Sequence, residues 1–439
     1  MDIKTTLREG GVIGAGGAGF PAYAKQNPAA DLLLINGAEC EPLLYTDYYL
    51  LREHLEDVLA GANALKAEGG YKEVVLGIEK RKAQMLELTH ESIIEGVRIC
   101  VIPDTYPMGD EIGLIYQTTG RTVPPGQLPI SVGVIVQNVE TVLNVGRVLL
   151  TKKPVLDKWL TVCGEVASPV VLRVAVGTPI KHLFSHLGIE INQNQIVLDG
   201  GPAMGKKIDP NSAVVRKATK AITILPKTCH SARKVLSSPT VAYGIANTAC
   251  CQCTRCTDLC PRHLLGYPLE PHRFIRAHVK GGAIDPVLLQ NALLCCGCGV
   301  CETVACCQGI SPKTVIDGYK TQLREKGIRF TLKENETFSV NKARNYRMVP
   351  AHRMAALLGV SKFDRLPKRE EYFAPKTVRV PLVGHIGAPS VAKVQEGDLV
   401  KRGQMIATAA EGLSVAQHTP VCGKVIAVTK KEIVIERED

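Results

Sequence analysis

Short apolar runs alternate with longer amphipathic stretches over the first third of the chain. Runs of the kind that form buried strands occupy residues 31–40 (DLLLINGAEC), 73–79 (EVVLGIE), 97–103 (VRICVIP) and 130–138 (ISVGVIVQN). Residues 48–68 and 80–96 between them show the spacing of helices. Alternating strands and helices predict an α/β domain with a parallel sheet, whose ligands lie past the carboxyl ends of the strands.

The pattern changes twice in the later part of the chain. After Pro154 the sequence consists of short apolar runs separated by turn residues, and residues 378–436 again combine short strands with glycine turns. Between these stretches, PHRFIRAHV and DPVLLQNALL within residues 271–294 show helical periodicity. The tail therefore predicts a small β-barrel, and the region before it contains a helical segment.

Composition and charge narrow the class of protein. The chain has 439 residues, 45% hydrophobic and 22% charged, so roughly two to four domains with proper cores are expected. The N-terminus has no apolar signal segment and no run is long enough to cross a bilayer, so we expect a cytoplasmic protein. The net charge of +11 comes from scattered lysines and arginines with only 5% aromatic residues, which disfavours nucleic-acid binding. A cofactor phosphate or an acidic partner would use the same charge.

Sixteen cysteines in a reducing compartment favour metal binding over disulfides. Two blocks stand out, Cys250-x2-Cys253-x2-Cys256-x3-Cys260-Pro and Cys295-x2-Cys298-x2-Cys301-x4-Cys306. Both follow the ferredoxin spacing for 4Fe-4S clusters, in which three closely spaced thiolates hold one cluster and the fourth holds the other. We therefore predict two clusters, one held by Cys250, Cys253, Cys256 and Cys306 and the other by Cys295, Cys298, Cys301 and Cys260.

Zinc is the alternative metal, since Cys-x2-Cys pairs also build zinc ribbons, but a ribbon does not need the third cysteine of each block. The second block departs from the ferredoxin pattern in its last gap, and Cys307 stands where a proline usually follows, so either Cys306 or Cys307 is the eighth ligand. Cys251 and Cys296 each stand beside a ligand and are interpreted as spectators, with replacement of that neighbour as ligand the alternative. Cys163 and Cys229 are interpreted as buried or incidental thiols, because neither has a ligand-spaced neighbour.

The N-terminal segment GGVIGAGGAGFPAYAKQ contains Gly14-x-Gly16-x-x-Gly19, the spacing of a dinucleotide fingerprint. No convincing strand precedes these glycines, which argues against an ordinary Rossmann NAD site. Bare backbone amides can still approach a phosphate closely, and a helix that begins near Pro21 would point its positive end at it. The alternative is a tight turn without a ligand, although so many glycines in one loop cost conformational entropy on folding.

Three motifs in this order, GAGGAGFPAYAK, NGAECEP and VQNVETVLNV, resemble the FMN-binding domain shared by the flavoprotein subunit of respiratory complex I and the RnfC subunit of Rnf electron-transport complexes. The resemblance implies that the glycine loop and a nearby lysine bind the FMN phosphate, and that polar residues after the strands line the flavin. Carried over, the cofactor-binding residues are Gly14, Gly16, Gly17, Gly19, Lys25, Asn36, Glu39, Glu41, Tyr106, Gly109, Asp110, Glu111, Asn138, Glu140 and Thr141. Where complex I relatives have an aspartate before the first of these glutamates, this chain has Ala38.

Other parts of the chain resemble modules of the same families. Residues 155–237 resemble the SLBB β-grasp module, whose role there is structural. VQEGDLVKRGQMIA in the tail resembles the turn of biotinyl and lipoyl carrier domains, but the corresponding AAEGLSVAQHTP has no lysine to modify. We expect a carrier-like barrel-sandwich domain without a swinging arm, acting in docking or packing, and we interpret His385 as a structural histidine.

Together these features predict four domains. They are a Rossmann-like FMN-binding α/β domain over residues 1–152, a β-grasp (SLBB) module over 155–237, a ferredoxin-like helical domain with two 4Fe-4S clusters over 240–330, and a carrier-like β-barrel over 375–439. In the RnfC subunit the barrel comes first in the chain, whereas here it comes last. This order resembles the PduS-type cobalamin reductases of propanediol-utilisation microcompartments.

The resemblance implies an NADH-dependent flavoprotein oxidoreductase that sends electrons through FMN and two clusters to cobalamin, since flavin accepts electron pairs and releases single electrons. It further implies cobalamin or a cobalamin adenosyltransferase as acceptor, a shell protein as partner, and a place in or beside a bacterial microcompartment. No Asp-x-His-x-x-Gly motif for corrinoid ligation occurs.

Two alternatives stand beside this hypothesis. One is a protein that passes electrons to a ferredoxin, a flavoprotein or an Rnf-like membrane complex, and the other is a non-enzymatic electron-transfer or scaffold protein with a vestigial flavin site.

Overall fold

The computed structural model of the chain describes residues 2–280, 285–332 and 337–438. Within these three ranges, no helix has both the length and the apolar character that crossing a membrane requires. Residues 281–284, part of the segment that links the two cysteine blocks, lie outside the described residues.

The N-terminal part of the chain forms a five-stranded sheet that contains the four predicted strands. From one edge, the strand order is Ile93–Ile94, Val97–Ile102, Glu73–Glu79, Leu32–Gly37 and Val134–Asn138. All neighbouring strands are parallel except the first pair, which is antiparallel. The strands Glu73–Glu79, Leu32–Gly37 and Val134–Asn138 are almost completely buried because apolar clusters cover both faces of the sheet, which explains their continuous apolar runs.

The helices around this sheet differ from the prediction in two places. They are Ile3–Glu9, Ala22–Lys25, Thr46–Glu53, Leu55–Gly69, Lys80–Met85, Glu111–Thr119 and Val139–Thr151, with a 3-10 turn at Pro129–Val132. The helix predicted over 48–68 is interrupted at His54, which has a non-helical φ of −133°. The helix predicted over 80–96 is wrong beyond Met85, because Glu87, Glu91 and Glu95 adopt positive φ and turn the chain into the edge hairpin.

A six-stranded mixed sheet follows, as the short apolar runs after Pro154 predict. Its strand order is Lys206–Ile208, Gln195–Asp199, Ala221–Pro226, Asp157–Gly164, Val170–Ala175 and Lys368–Arg369. The helix Ile180–His186 contributes three buried side chains to the apolar core of this sheet. Its assignment to the β-grasp (SLBB) module stays a prediction.

The cysteine-rich region is helical, as the periodicity of its linking segment predicts. Its helices are His230–Leu236, Pro239–Ala249, Arg255–Asp258, Pro261–Leu264, Pro271–Lys280, Pro286–Asn291 and Pro312–Glu325, with a 3-10 turn at Ala292–Leu294 and a π-helical turn at Cys301–Ala305. Phe274, Ile275 and Val315 lie in one buried apolar cluster with Leu34 and Val75 of the N-terminal sheet. The helical region therefore shares a core with that sheet.

The chain then returns along the N-terminal domain before it enters the tail. This segment contains the helices Arg344–Arg347 and Ala351–Leu358 and a 3-10 turn at Ser361–Phe363. Its short strand Val349–Pro350 pairs with Thr105–Tyr106, so the return segment is hydrogen-bonded to the N-terminal domain.

The tail contains two small sheets packed around an apolar core, in agreement with the predicted barrel. One has the order Thr377–Pro381, Glu432–Arg437, Gly423–Val428 and Leu399–Val400, and the other has the order Val391–Ala392, Met405–Thr408 and Gln417–His418. Val378, Ile406, Val425 and Ile433 are buried between them. The rim of this domain reaches the N-terminal glycine segment, distant in the sequence, where Ile386 N donates to Gly19 O.

Candidate cofactor sites

A cavity of about 690 Å³ lies where the N-terminal domain, the six-stranded sheet and the tail domain meet. We call it the glycine-loop cavity, and its lining residues are Gly16, Gly17, Ala18, Glu41, Leu44, Asp199, Gly200, Gly201, Met204, Gly205, Lys206, Arg216, Ala218, Lys220, Val383, Gly384, His385 and Ile386. Its size is in the range of small-molecule and cofactor sites. Three separate parts of the sequence are therefore needed to form its wall.

The glycine segment forms a tight loop that presents backbone to this cavity. Gly14 N donates to Phe20 O at 2.8 Å, which closes the loop, and Ala15 N donates to Thr141 Oγ1 at 2.9 Å, which ties it to the helix after the last strand. Gly17 has a φ of +115°, and a Cβ built on it would have no atom within 4 Å. The loop therefore leaves open space beside bare amides, which fits a phosphate-bearing group such as FMN.

Two asparagines fix the backbone at the carboxyl edge of the sheet. Asn36 accepts from Ala38 N and donates to Gly109 O, both at 3.0 Å. Asn138 accepts from the amide of Glu140 at 3.1 Å and donates to Asp47 at 2.8 Å. Both side-chain amides are hydrogen-bonded to other parts of the protein. The two asparagines therefore hold the backbone at the edge of the sheet beside the glycine loop.

Glu41 is the predicted acidic residue that lies directly on the cavity wall. Its Oε1 accepts from the backbone amides of Ala203 at 2.6 Å and Met204 at 2.9 Å, which joins the N-terminal domain to the six-stranded sheet. Burial raises the pKa of the Glu41 carboxyl to about 7. This carboxyl therefore changes its charge near neutral pH, next to the glycine loop.

We expect Glu41→Gln to remove one component of the pH dependence of stability. In the parent, the folded state holds the Glu41 proton up to a pH of about 7, whereas the unfolded chain releases it near 4.5, so stability falls as pH rises across this window. One proton contributes at most about 1.4 kcal/mol per pH unit. Urea unfolding at a series of pH values should show a shallower fall in the variant, and the exposed Glu396→Gln control should follow the parent. Equal slopes in Glu41→Gln and the parent would contradict this assignment.

Glu39 and Glu140, which the resemblance places against the flavin, lie instead in buried ion pairs. Glu39 is 2% exposed at its side chain and pairs with Lys82 at 3.3 Å and Lys220 at 3.5 Å. Glu140 is 1% exposed and pairs with Lys158. The geometry does not support direct contact of these two carboxylates with a flavin, because each is already enclosed by lysines.

Lys158 connects the second of these pairs to the glycine loop. Its Nζ donates to Ala15 O at 3.0 Å as well as to Glu140, and Glu140 accepts from Trp159 N at 3.0 Å. Glu140 thus acts on the loop through Lys158. The pairing does not follow from spacing, because nothing local in the sequence marks Lys158 as the partner of Glu140.

The remaining predicted residues are not among those that line the cavity. Lys25 contacts Glu111 at 3.5 Å and donates to Val136 O at 2.9 Å. Asp110 pairs with Arg262 of the cysteine region at 2.6 Å. The amide of Gly109 donates to Cys40 Sγ at 3.1 Å. Lys25 and Gly109 therefore make their contacts within the N-terminal domain, whereas Asp110 links that domain to the cysteine region.

Three basic residues on the cavity wall carry no signal in the sequence and were not predicted. Lys206, Arg216 and Lys220 all line the cavity, and Arg216 is paired with Asp199 at 2.6 Å. Lys220 is buried against Asp47 and Glu39. No motif marks these residues, because they lie far from the glycine loop in sequence and only the fold brings them to it.

The first cysteine site brings together Cys250, Cys253, Cys256 and Cys306. Burial and then the neighbouring Cys306, Cys253 and Cys250 raise the pKa of the Cys256 thiol to about 12 in the metal-free chain. The same four residues line one small cavity, which Cys307 also borders. Cys307 is exposed, whereas Cys306 is partly buried and lies near Cys256. The fourth thiol of this site thus comes from the second block.

The second cysteine site brings Cys260 of the first block to Cys295, Cys298 and Cys301. Burial raises the pKa of the Cys260 thiol to about 12, with Cys295 as a further cause, and Cys260 in turn lies near Cys298 and Cys301. Cys260, Cys298 and Cys301 are buried. Each block therefore lends its last cysteine to the other site, which is the arrangement that the ferredoxin spacing predicts.

The spread of the sulfur atoms separates an iron-sulfur cluster from zinc. A tetrahedral zinc ion with Zn–S bonds of about 2.3 Å would hold its four sulfurs about 3.8 Å apart. Among the residues that the structure describes, the cysteine blocks contain just one group of three ligand atoms within 4.8 Å of one another, and it consists of the exposed Cys251, Cys253 and Cys307. Within the described residues, neither set of four thiols is gathered at the spacing of a tetrahedral zinc site, and three closely spaced cysteines plus a fourth in each set are the ligands that a 4Fe-4S cluster takes.

The two cysteine sites differ in their surroundings. The phenol of Tyr106 donates to Cys298 O at 2.8 Å, and Tyr106 also lies close to Glu41 on the cavity wall. We call this second site the inner site. At the first site Cys251, Cys253 and Cys307 are exposed, so we call it the outer site. The inner site is thus next to the glycine-loop cavity, and solvent reaches the outer one.

Comparison with protein families assigns three parts of the chain. Residues 7–147 match the Nuo51 FMN-binding domain, residues 249–311 match a 4Fe-4S dicluster domain, and residues 367–438 match the RnfC barrel sandwich hybrid domain. The predicted cofactors, FMN and two 4Fe-4S clusters, are confirmed, as is the barrel-sandwich class of the tail. The Rossmann-like description of the first domain and the individual domain boundaries stay predictions.

Curated relatives match the chain to different extents. The cobalamin reductase PduS of Salmonella typhimurium is 36% identical over 438 residues, which is 99% of this chain and 96% of the relative. The RnfC-type component of the ion-translocating oxidoreductase complex of Edwardsiella ictaluri is 36% identical over 266 residues, 59% of this chain and 32% of the relative. The corresponding component of the Na+-translocating ferredoxin:NAD+ oxidoreductase complex of Acetobacterium woodii is 31% identical over 60% of this chain and 58% of the relative.

Proposed function

Because the chain belongs to the family of the PduS cobalamin reductases, which it matches over nearly its whole length, we propose that it transfers electrons from NADH to a corrinoid, cob(III)alamin or cob(II)alamin. The observation that carries this proposal is a buried apolar cluster that joins the two kinds of site: it contains Cys298 of the inner site, Tyr106 and Leu44, and Leu44 lines the glycine-loop cavity. The phenol of Tyr106 also donates to Cys298 O. A nucleotide bound in this cavity and a cluster at the inner site would therefore form one redox unit.

The glycine loop and the cavity wall are proposed to hold FMN. Gly16 and Gly17 offer bare amides to its phosphate, and the exposed Lys206 adds positive charge on the same wall. When bound, FMN supplies the conversion between the electron pair of a nicotinamide and the single electrons that clusters carry. Glu41 lines the same space, and its charge changes near neutral pH because burial raises its pKa.

The thiols are proposed to hold the two clusters in crossed sets. Cys250, Cys253, Cys256 and Cys306 form the outer set, and Cys260, Cys295, Cys298 and Cys301 form the inner set. The inner set is largely buried, and its Cys298 carbonyl accepts from Tyr106, which fixes the ligand loop. The outer set is the one that an external acceptor can approach.

The identity of the donor and of the acceptor rests on the relatives. The Acetobacterium woodii relative is named for NAD+, and the relatives that match nearly the whole chain are named for cobalamin. We therefore propose NADH as donor and a corrinoid, free or held by an adenosyltransferase, as acceptor. Since no Asp-x-His-x-x-Gly motif occurs, the corrinoid would be reduced from outside the chain, near the outer site. A microcompartment location and a shell-protein partner are part of the same proposal.

A second candidate function has one structural observation in its favour. The helix Pro239–Ala249, which leads into Cys250, exposes Val241 and Ile245 beside the outer site. Exposed apolar side chains next to a redox centre are a feature of surfaces that bind another protein. The chain would then pass electrons from NADH to a ferredoxin, a flavoprotein or an Rnf-like complex instead of to a corrinoid.

The experiment that tests the proposed function uses protein prepared without oxygen and reconstituted with iron, sulfide and FMN. NADH should bleach the absorbance of both the flavin and the clusters, and added cob(III)alamin should restore it while cob(II)alamin or cob(I)alamin forms. Protein reconstituted without FMN is the control and should not react with NADH. Bleaching that corrinoid does not reverse would favour the protein acceptor, and no bleaching by NADH would contradict the nicotinamide donor.

A further inference from the structure

The tail domain contributes one wall of the glycine-loop cavity, although its carrier-like relatives and its position in the chain suggest only docking or packing. Val383, Gly384, His385 and Ile386 line the cavity together with the loops of the six-stranded sheet. The backbone amide of Ile386 donates to Gly19 O at 3.0 Å. The wall is therefore attached directly to the glycine loop.

The two segments lie in van der Waals contact at Gly19. A Cβ built on Gly19 would lie 3.5 Å from Gly384 O and 3.5 Å from the Cα of His385, and the φ of +69° is what favours glycine at this position. His385 is held by its own domain, with its Nε2 3.0 Å from Ala388 O and 3.3 Å from Ser414 Oγ. The interpretation of His385 as structural agrees with these contacts, and the histidine supports the wall.

Further contacts hold the tail domain on the N-terminal domain. Arg8 donates to the carbonyls of Ala410 and Ser414, and the buried Lys217 donates to Gly11 O at 2.9 Å and to Ala416 O at 3.2 Å. A small buried apolar cluster beside them takes one residue from each of three regions, Ile13, Ala218 and Val415. A domain fixed at so many points presents a permanent surface to the cavity.

The chemistry of this wall differs from that of the rest of the cavity. Val383 is 52% exposed and Ile386 is 47% exposed, and unlike the exposed Val391 and Leu399 of the same domain they line the cavity. The six-stranded sheet contributes three basic residues, of which Arg216 is paired with Asp199 and Lys220 with Asp47, whereas Lys206 is exposed. One part of the cavity thus offers apolar surface, and another offers the Lys206 ammonium and the bare amides of the glycine loop, which suits a molecule with a flat ring at one end and phosphate at the other.

We infer that Val383 and Ile386 form the apolar wall against which the heteroaromatic ring of the bound nucleotide packs, so that the tail domain is part of the nucleotide site. The inference rests on the proposed function in taking this nucleotide to be FMN or NADH. Both carry a flat ring and phosphate, and binding measurements can tell them apart. The tail domain thereby acquires a binding role that needs no modified lysine.

The test replaces both side chains by serine, in Val383→Ser/Ile386→Ser, and compares the full chain with a matched control. Val391 and Leu399 are 55% and 69% exposed on the same domain and do not line the cavity, so Val391→Ser/Leu399→Ser removes similar apolar surface elsewhere. Two dissociation constants are measured by calorimetry: FMN with flavin-free protein, and NAD+ with FMN-loaded protein. Thermal unfolding checks that each variant is folded. If the double variant does not fold, Ile386→Ala with Leu399→Ala as control replaces it.

We expect the cavity variant to raise the dissociation constant of one of the two ligands about five- to thirtyfold, because the ring then covers less apolar surface. The control variant should change neither dissociation constant. Weaker FMN binding would identify the flavin ring at this wall, and weaker NAD+ binding would identify a ring of the dinucleotide. Dissociation constants within about twofold of the parent for both ligands, or equal losses in the control, would overturn the inference. A parent that binds both nucleotides but transfers no electrons would contradict the proposed function and leave the inference intact.

Discussion

The Cys306→Ser variant is expected to lose the outer cluster alone, with about half of the iron and sulfide of the parent. In the structure Cys306 lies beside Cys256 of the first block, whereas Cys307 is exposed to solvent. Reduction of cob(III)alamin should fall by more than an order of magnitude, because the site nearest to solvent is then absent. Direct reduction of ferricyanide by the flavin should persist, since the glycine-loop cavity is untouched. Cys307→Ser is the matched control and should keep both clusters.

The companion variant Cys260→Ser tests the crossing of the two sites. Cys260 belongs to the first block in sequence but lies with Cys295, Cys298 and Cys301 in space. The electron paramagnetic resonance spectrum of reduced Cys260→Ser should therefore lack the same signal as Cys298→Ser, and Cys306→Ser should lack the same signal as Cys256→Ser. If Cys260→Ser and Cys256→Ser lose one and the same signal, each block binds its own cluster and the crossed assignment is wrong.

Lys82→Met is expected to lower the free energy of unfolding by about 3–5 kcal/mol, the usual result of leaving buried carboxylates without their partner. The ammonium of Lys82 lies 3.3 Å from both Glu39 and Glu79 and donates to Glu39 O at 2.7 Å. Its side chain is 10% exposed. Removing the charge leaves two carboxylates in a region that water does not reach, and the Lys220 ammonium alone remains near Glu39.

Urea unfolding, followed by far-UV circular dichroism, measures this loss. The neighbouring Lys80→Met is the control, because Lys80 is exposed at the start of the same helix. This substitution should lower the free energy of unfolding by less than about 0.5 kcal/mol. Adding Glu79→Gln to Lys82→Met should restore part of the stability, since one uncompensated carboxylate is then gone. A Lys82→Met protein with the transition midpoint of the parent would show that this network does not stabilise the domain.

The strands and the cysteine sites could be predicted because their signals are local. A continuous apolar run such as residues 73–79 is buried on both faces of a parallel sheet, so the run itself marks the strand, and the structure forms it at Glu73–Glu79. Ligand spacing around Cys250 and Cys295 is a property of a few adjacent positions. The helix predicted over 80–96 is wrong beyond Met85 because the local sequence carries no signal for the turn that ends it. Glu87 adopts a positive φ there, and a glutamate in a short polar stretch does not indicate such a backbone.

The walls of the glycine-loop cavity could not be predicted because they are assembled from distant segments. The glycine loop is recognisable by its composition, but Lys220 and Ile386 reach it only through the fold. The ion pairs of Glu39 and Glu140 are of the same kind, since their partners Lys82 and Lys158 follow from packing rather than from spacing. Motif resemblance therefore names these acids but not the lysines that pair with them, and their assignment to the flavin site stays a prediction.

The contact between Ile386 and Gly19 has a consequence for how the protein is made. The ribosome synthesises the glycine loop well before the segment that covers it, at about 5–20 residues per second. Until residue 386 has been made, the loop has no far wall. A nucleotide in the glycine-loop cavity can therefore be enclosed only after the nascent chain has been extended past residue 386, so the enclosed site forms after translation of the tail segment rather than together with the N-terminal sheet.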